Sequence, residues 1–376
     1  MSERFSLKDH LFNKKSVTYF ADLFYTRDNS FPRNSFIKNI LNQFPQLELK
    51  ERIYCICREL ELTLPHDYHK ALNIVLRALP KELDPTKTDD DFGEYILAPF
   101  AEYVARNGRK KDYLQESLDA LREMTKRFSA ENAIRYFINA FPKETLRFLK
   151  EGAQNENYHV RRLSSEGTRP RLPWCIGITL NYIESLPILN ILFQDTTRYV
   201  TRSVANHMND ISKIDPVLVI STLKKWRDSG KQNEKEMNFI LQHSLRTLIK
   251  QGNTQALALL GYTPRPNVII SNTVIHTPTL QIGETLEFSF TLESLSRQNV
   301  MIDYIIHHQT KSGLSRPKIF KIKKISLKKG ATITINKRQA FRIMTTKKLY
   351  PGKHILELQI NGKKYPMGNF HLVEAS

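Results

Sequence analysis

The chain is poor in cysteine and tryptophan, short of acids, and free of long apolar runs. Three cysteines in 376 residues, Cys55, Cys57 and Cys175, are too few and too scattered for a disulfide framework. Cys55 and Cys57 stand two apart in the helix-like stretch IYCICREL, where i and i+2 point to different sides. They read as core thiols rather than metal ligands. No apolar run reaches the ~18 residues that a membrane span needs, and the mean hydropathy is -0.42. The N-terminal MSERFSLKDHLF lacks the apolar core and small-residue cleavage site of a secretory leader. A cytoplasmic protein without membrane attachment is expected. Also missing are a Walker phosphate loop, a GxGxxG after a strand, GxSxG, HExxH and paired CxxC. His66 and His69 share one helix face at most and have no evident third ligand, while His307-His308 lie in a strand, where neighbours face opposite ways. No metal and no cofactor are expected.

What is abundant is positive charge. The formal net charge is +19 and the sequence pI about 9.7. From Thr263 to Ser376 there are 18 Lys and Arg against 6 Asp and Glu. Such a chain is attracted to polyanions, nucleic acid first among them.

Residues 1–262 read as successive helices. Ser16–Phe24, Phe36–Phe44 and Leu49–Leu62 carry apolar residues at helical spacing, and so do Phe92–Asn107, Asp112–Arg127 and Ala130–Asn139. A further helix starts at Phe141-Pro142 and reaches Lys150. The acidic DPTKTDDDFGE, Asp84 to Glu94, reads as a solvated loop. A weak repeat then emerges: Val160 and Arg162 are echoed 40 residues later by Val200 and Arg202, with a poorer third copy near Ile240. Helical units of this period suggest HEAT-type hairpins stacked into a solenoid. Arg161, Arg162, Arg198, Arg202, Lys213, His243 and Arg246 would make its inner face cationic and suited to phosphates. Such a face offers no obvious deep pocket.

The helical pattern stops at Gly261, and the Pro-rich TPRPN, residues 263–267, links it to alternating segments. Strands are expected at Val268–Ile270, Thr285–Leu292, Val300–His307, Lys318–Ile325, Thr332–Ile335 continuing to Ile343, Ile355–Ile360 and Met367–Val373. Asn361-Gly362 signals a hairpin, Lys329-Gly330 a weaker one. About seven short strands in this span argue for an immunoglobulin-like sandwich. KIFKIKKISLKKG, residues 318–330, is either a two-faced edge strand guarded by Lys or a polyanion contact.

Chemistry is most plausible where carboxylates meet aromatics and arginines. In HVRRLSSEGTRPRLPW, residues 159–174, Arg161, Arg162, Arg169 and Arg171 crowd Glu166, and Gly167, Pro170 and Pro173 stop a helix before Trp174. One reading is a site that grips phosphates and reserves an acid; the other is a basic corner whose Trp plugs the core. Asp210, in VANHMNDISK, lies beside the buried stripe Val204, Met208 and Ile211, and a surface ion pair with Lys213 would also explain it. Glu131, in FSAENAIRYF, falls in a first turn that Ser129 or a neighbour would cap, where an acid also serves as a dipole partner.

With HVRRLSSEGTRPRLPW followed by SVANHMNDISK, the FSLKDHLF opening and LRTLIKQGN, the whole chain resembles the AlkC-type alkylpurine DNA glycosylases. The resemblance implies a mainly α HEAT-like solenoid, residues 1–262, and a C-terminal all-β immunoglobulin-like sandwich, residues 263–376, that helps hold DNA. It implies excision of cationic N-alkylated purines, chiefly 3-methyladenine, from double-stranded DNA, with the lesion attacked while it is not enclosed; a monomer is expected. It places Glu131, Glu166, Asp210 and Trp174 at active-site positions. No lysine is visibly placed as a Schiff-base nucleophile, so a monofunctional enzyme is expected.

Overall fold

The computed structural model describes residues 5–87, 89, 92–314, 317–342 and 348–374. They divide into two compact units. One comprises Met1–Ile214 with Lys225–Ser244, the other Asp215–Lys224 with Leu245–Ser376.

The first unit is a HEAT-like array of helices. Its opening helices follow the apolar spacing. In Lys14–Tyr25 the residues Val17, Phe20, Ala21 and Phe24 are buried on one face, and Asn13 caps the start by accepting from the Ser16 amide. Phe20 and Phe24 stack with Phe31, Phe36 and Phe100, at ring separations from 4.8 to 6.4 Å. Cys55 and Cys57 are buried in Leu49–Thr63, as free thiols. Helices Ala98–Asn107, Leu114–Thr125, Glu131–Ala140 and Pro142–Gly152 follow. Pro142 opens the last of these at a position whose amide needs no intrahelical partner.

The 40-residue repeat corresponds to helices Tyr158–Glu166 and Arg198–Ile211, which pack on each other, and Glu234–Ser244 packs on the second. Arg198–Ile211 is buried nearly all round because it lies between those two neighbours. The acidic loop is not merely solvated. Asp89 pairs with Arg202 at 2.5 Å, and Phe92 packs edge-on against Tyr199. Residues 88, 90 and 91 of that loop lie outside the described residues.

The second unit is an immunoglobulin-like sandwich preceded by short helices, among them Arg246–Lys250 and Thr254–Leu259. Its strands are β1 (Val268–Ile275), β2 (Thr279–Gln281), β3 (Thr285–Ser294), β4 (Gln298–His307), β5 (Gln309–Thr310), β6 (Gly313–Leu314), β7 (Lys318–Leu327), β8 (Thr332–Ala340), β9 (Gly352–Ile360) and β10 (Lys363–Val373). They form a three-stranded sheet, β1-β3-β8, a five-stranded sheet, β2-β10-β9-β4-β7, and a β5-β6 ribbon. Strict alternation along β3 sends Leu286, Phe288, Phe290 and Leu292 into the core, where they meet Ile302, Tyr304, Leu356, Leu358 and Phe370 from the other sheet.

Asn361-Gly362 joins β9 to β10 with positive φ at both residues, 44° and 82°, as a type I′ turn requires. Gly362 is doubly constrained, since a Cβ there would come within 2.7 Å of the Gly252 carbonyl oxygen. Lys329-Gly330 is not a hairpin turn. It carries the chain from β7 in one sheet to β8 in the other. β1 runs on past the polar Ser271-Asn272 through a bulge with Asn272 at φ 49°. β7, with its Lys321, Lys323 and Lys324, is an edge strand. The expected continuation of β8 to Ile343 ends at Ala340, and Ile343 lies outside the described residues.

Candidate active site

The site begins with one helix. Asn157 caps Tyr158–Glu166 by accepting from the His159 amide at 2.9 Å, and Val160 and Leu163 bury its apolar stripe. The helix ends at Glu166, and Gly167 follows because a Cβ there would press to 2.7 Å from Ile134 Cγ2. Arg162 and Glu166, one turn apart, therefore face the same way.

Two buried guanidiniums organise three acids. Arg162 Nη1 donates to Glu131 Oε2 at 2.6 Å and to Ser129 Oγ at 2.9 Å, and Nη2 lies 3.6 Å from Glu166 Oε1. Its guanidinium sits 4.6 Å from the Tyr199 ring centroid. Arg169 Nη1 donates to Glu166 Oε1 at 2.5 Å, and its Nε and Nη2 donate to Asp210 Oδ2 at 2.9 and 2.8 Å. Lys213 Nζ reaches Asp210 Oδ1 at 3.0 Å. Ser203 Oγ donates to Glu166 Oε2 at 2.6 Å. Three carboxylates thus face three cations, the balance a buried ionic cluster needs.

Burial opposes ionisation of Glu166, but Arg162 and Arg169, with the Ser203 hydroxyl, outweigh it and hold the carboxyl below its ordinary range. Burial likewise works against the charges on Arg162 and Arg169, and the acids beside them more than compensate. His207 lies beneath the cluster with Nδ1 3.0 Å from the Ser165 carbonyl. Burial, then Arg169, pushes it down to about 4, so it is neutral at pH 7.

The loop after Glu166 folds back over the helix Glu131–Ala140. Arg135 donates from Nη1 to the carbonyls of Gly167 and Arg169, at 3.1 and 2.8 Å, and from Nε to that of Ile176, at 2.6 Å. Trp174 adopts φ 69° and its side chain is 63 % exposed, so it does not plug the core. Lys50 Nζ donates to the Trp174 carbonyl. A cleft of about 620 Å³ opens here. Glu131, Glu166, Arg162, Arg169 and Trp174 face it, along with Tyr54, Tyr95 and Phe128. The expectation of a face without a deep pocket fails because this loop and the preceding helices wall in the space beside the acids.

The structure brings Glu131, Glu166, Asp210 and Trp174 into one region, with differences from the sequence reading. Ser129 does not cap its helix. The N-cap is Ala130, without a side-chain cap bond, and Ser129 donates instead to Glu131 Oε2 at 2.9 Å. Asp210 is buried behind Arg169 and takes no part in lining the cleft, so its bond to Lys213 is not a surface pair.

The expected phosphate ligands fare unevenly. Arg162 and Arg169 are buried and engaged with acids, so they organise carboxylates. Arg161 pairs with Asp195 at 2.5 Å, Arg198 with Glu236 at 2.5 Å, and Lys213 with Asp210. Arg171 is exposed on the loop, and Arg246 falls in the second unit. Among the described residues no group of three His, Cys, Asp or Glu is arranged to hold a metal, and no helix is long and apolar enough to cross a membrane.

Sequence reasoning missed Ser203, Arg135, Lys50 and the cleft acid Glu102. Only Ser203 left a signal: with Tyr199, His207 and Asp210 it recurs at helical spacing as a polar and aromatic stripe along Arg198–Ile211.

Residues 269–374 match the family described as "Uncharacterised protein YhaZ, C-terminal Ig-like domain". The chain is 35% identical over 339 residues to "Uncharacterized protein YhaZ" of Bacillus subtilis (strain 168), spanning 89% of this chain and 90% of that one. The solved structure of the Pseudomonas fluorescens alkylpurine DNA glycosylase AlkC, bound to DNA containing an abasic site analog, superposes with a TM-score of 0.86 at 32% identity, over 98% of this chain and 99% of that one. Fold, sequence and site agree: the chain belongs to the AlkC-type alkylpurine DNA glycosylase family, in the branch with a C-terminal immunoglobulin-like domain.

Proposed function

We propose that this DNA glycosylase hydrolyses the N-glycosidic bond of cationic N-alkylated purines, chiefly 3-methyladenine, in double-stranded DNA, as a monofunctional enzyme that needs no metal. The observation that carries the reading is a cluster of guanidinium-paired carboxylates, two of which, Glu131 and Glu166, face a cleft beside an exposed indole.

Alkylation at a ring nitrogen leaves the base positively charged, and the glycosidic bond breaks with the electron pair going to a base that departs neutral. Little acid assistance is needed. What needs stabilising is the oxocarbenium-like sugar, and fixed carboxylates do this where water is scarce. Glu166, pinned on both oxygens, supplies charge without moving. Glu131 is the more open acid, with 27 % of its side chain exposed against 5 % for Glu166. It is the better placed to orient the water that attacks C1′ and to take its proton. Asp210 acts through Arg169, adding negative potential and fixing that guanidinium. Trp174 stacks on the cationic lesion or its sugar, worth about 0.5–2 kcal/mol. Catalysis is assigned to residues 1–262. The cationic residues 263–376 serve as a polyanion grip, and the lesion reacts in a bent duplex without being enclosed.

The test is base release from methylated duplex DNA with chelator present, the freed bases identified by chromatography. Release of 3-methyladenine, lost in Glu166→Gln protein that still binds DNA, supports the reading. Salt-sensitive binding without any release would leave a non-catalytic DNA-binding scaffold.

A further inference from the structure

Arg135 is nearly sealed from solvent, at 1 % exposure, yet among the described residues no carboxylate pairs with it. A buried guanidinium without an acid is costly, and packing alone would be served by an aliphatic side chain of similar volume. All three hydrogen bonds go to backbone carbonyls of one loop, two at its start, on Gly167 and Arg169, and one at its end, on Ile176. One planar fork therefore closes the loop across its own neck. Burial lowers the Arg135 pKa from its ordinary value, while Glu131 and Glu166 support its charge.

The loop carries two parts of the site. Arg169 clamps Glu166 and Asp210, and Trp174 stands at the cleft. Arg135 lies one helical turn beyond Glu131, on the same face of the same helix. One turn further, Asn139 continues the stitching. Its Nδ2 donates to the Gly177 carbonyl at 2.9 Å and its Oδ1 accepts from the Thr179 amide at 2.9 Å. A single rigid helix thus holds an acid at its first turn and the loop's attachment along its next two.

We propose that Arg135 is the positioning residue of the site, setting Trp174 and Arg169 at fixed distance from Glu131. This deepens the glycosylase reading and rests on it for its kinetic consequence, but not for its structural one. The fork geometry matters as well as the charge, because a lysine offers a single nitrogen and cannot span carbonyls at both ends of the neck.

The test uses the full chain with Trp226→Phe, which leaves Trp174 as the only tryptophan and keeps an aromatic ring against Phe193. Arg135→Lys and Arg135→Met are compared with Leu189→Ala, a core truncation in a different helix, Leu186–Leu192. In both Arg135 variants, the anisotropy of Trp174 should fall and its quenching by acrylamide should rise, without DNA. Single-turnover release of 3-methyladenine should slow by about 100-fold in Arg135→Met, and less in Arg135→Lys, with Kd for undamaged duplex within about 3-fold of the parent. Leu189→Ala should lower the melting temperature and leave Trp174 and the rate as they were. If Arg135→Met does not fold, Arg135→Lys alone decides. Unchanged Trp174 anisotropy and rate in Arg135→Lys would overturn the assignment. A parent protein that releases no base would defeat the glycosylase reading, and the fluorescence would still decide whether Arg135 fixes the loop.

Discussion

Arg169 joins Glu166 to Asp210 through one guanidinium, with Nη1 on the first acid and Nε and Nη2 on the second. The two acids share one cation, and for Glu166 that cation, with Arg162, outweighs burial and holds the carboxyl below its ordinary range. Arg169→Met strands two buried carboxylates, and a loss of ~3–5 kcal/mol in urea unfolding is expected. Arg169→Lys keeps the charge but loses the fork, and its loss should be smaller. An unfolding midpoint in Arg169→Met equal to wild type would show that the acids do not depend on Arg169.

Glu166 gives a pH signature. Its folded carboxyl lies below the ordinary 4.5, so its contribution to stability is complete above 4.5 and is lost as pH falls through the lower folded value. Base release should therefore persist from neutral pH down to that region. Ser203→Ala removes the donor on Glu166 Oε2, a bond to a charged group worth ~1.5–3 kcal/mol. The acid limb of the rate profile should move upward in that variant, and superimposable profiles would count against a charge-stabilising Glu166.

Trp174 should matter to the lesion and not to the fold. Trp174→Ala is expected to leave the melting temperature unchanged, since the side chain is 63 % exposed. Excision of a cationic purine should slow by about 2- to 30-fold, the range of a cation–π contact. A drop in melting temperature with normal excision would reverse this assignment.

Asp89 occupies the guanidinium of Arg202, at 2.5 Å. If Arg202 contacts phosphate, Asp89 competes with DNA for it. Asp89→Asn should tighten binding to undamaged duplex by roughly 2- to 5-fold at low salt, the worth of one exposed ion pair. It should also steepen the salt dependence. Fluorescence anisotropy titrations across a salt series would measure both, and an unchanged affinity would remove Arg202 from the DNA-contacting set.

How much of this was legible in the sequence follows from the range of each interaction. The helices of the first unit and the turn at Asn361-Gly362 are local, written in apolar spacing and in two residues that accept positive φ. Glu131, Glu166 and Asp210 stood out for their neighbours in sequence. What holds them did not, because Ser203 reaches Glu166 from the next repeat and Arg162 reaches back to Glu131. For the same reason, arginines that read as free for phosphate turned out to be paired with acids 34 or 38 residues on. β2 and the β5-β6 ribbon are too short for alternation to show. The Lys329-Gly330 crossing looks like a hairpin until the sheets are known.

The pairing of Arg161 with Asp195 and of Arg198 with Glu236 has a consequence for how such a chain can evolve. Solenoids ordinarily lengthen or shorten by whole repeats, since each unit meets only its neighbours through interchangeable apolar surfaces. Here two successive helices, Tyr158–Glu166 and Arg198–Ile211, each add an arginine answered by an acid farther along the chain. A duplication or deletion that separates such an arginine from its acid would leave a largely buried ion without its counter-charge. Any change in the number of these units therefore has to carry each arginine together with the acid that answers it.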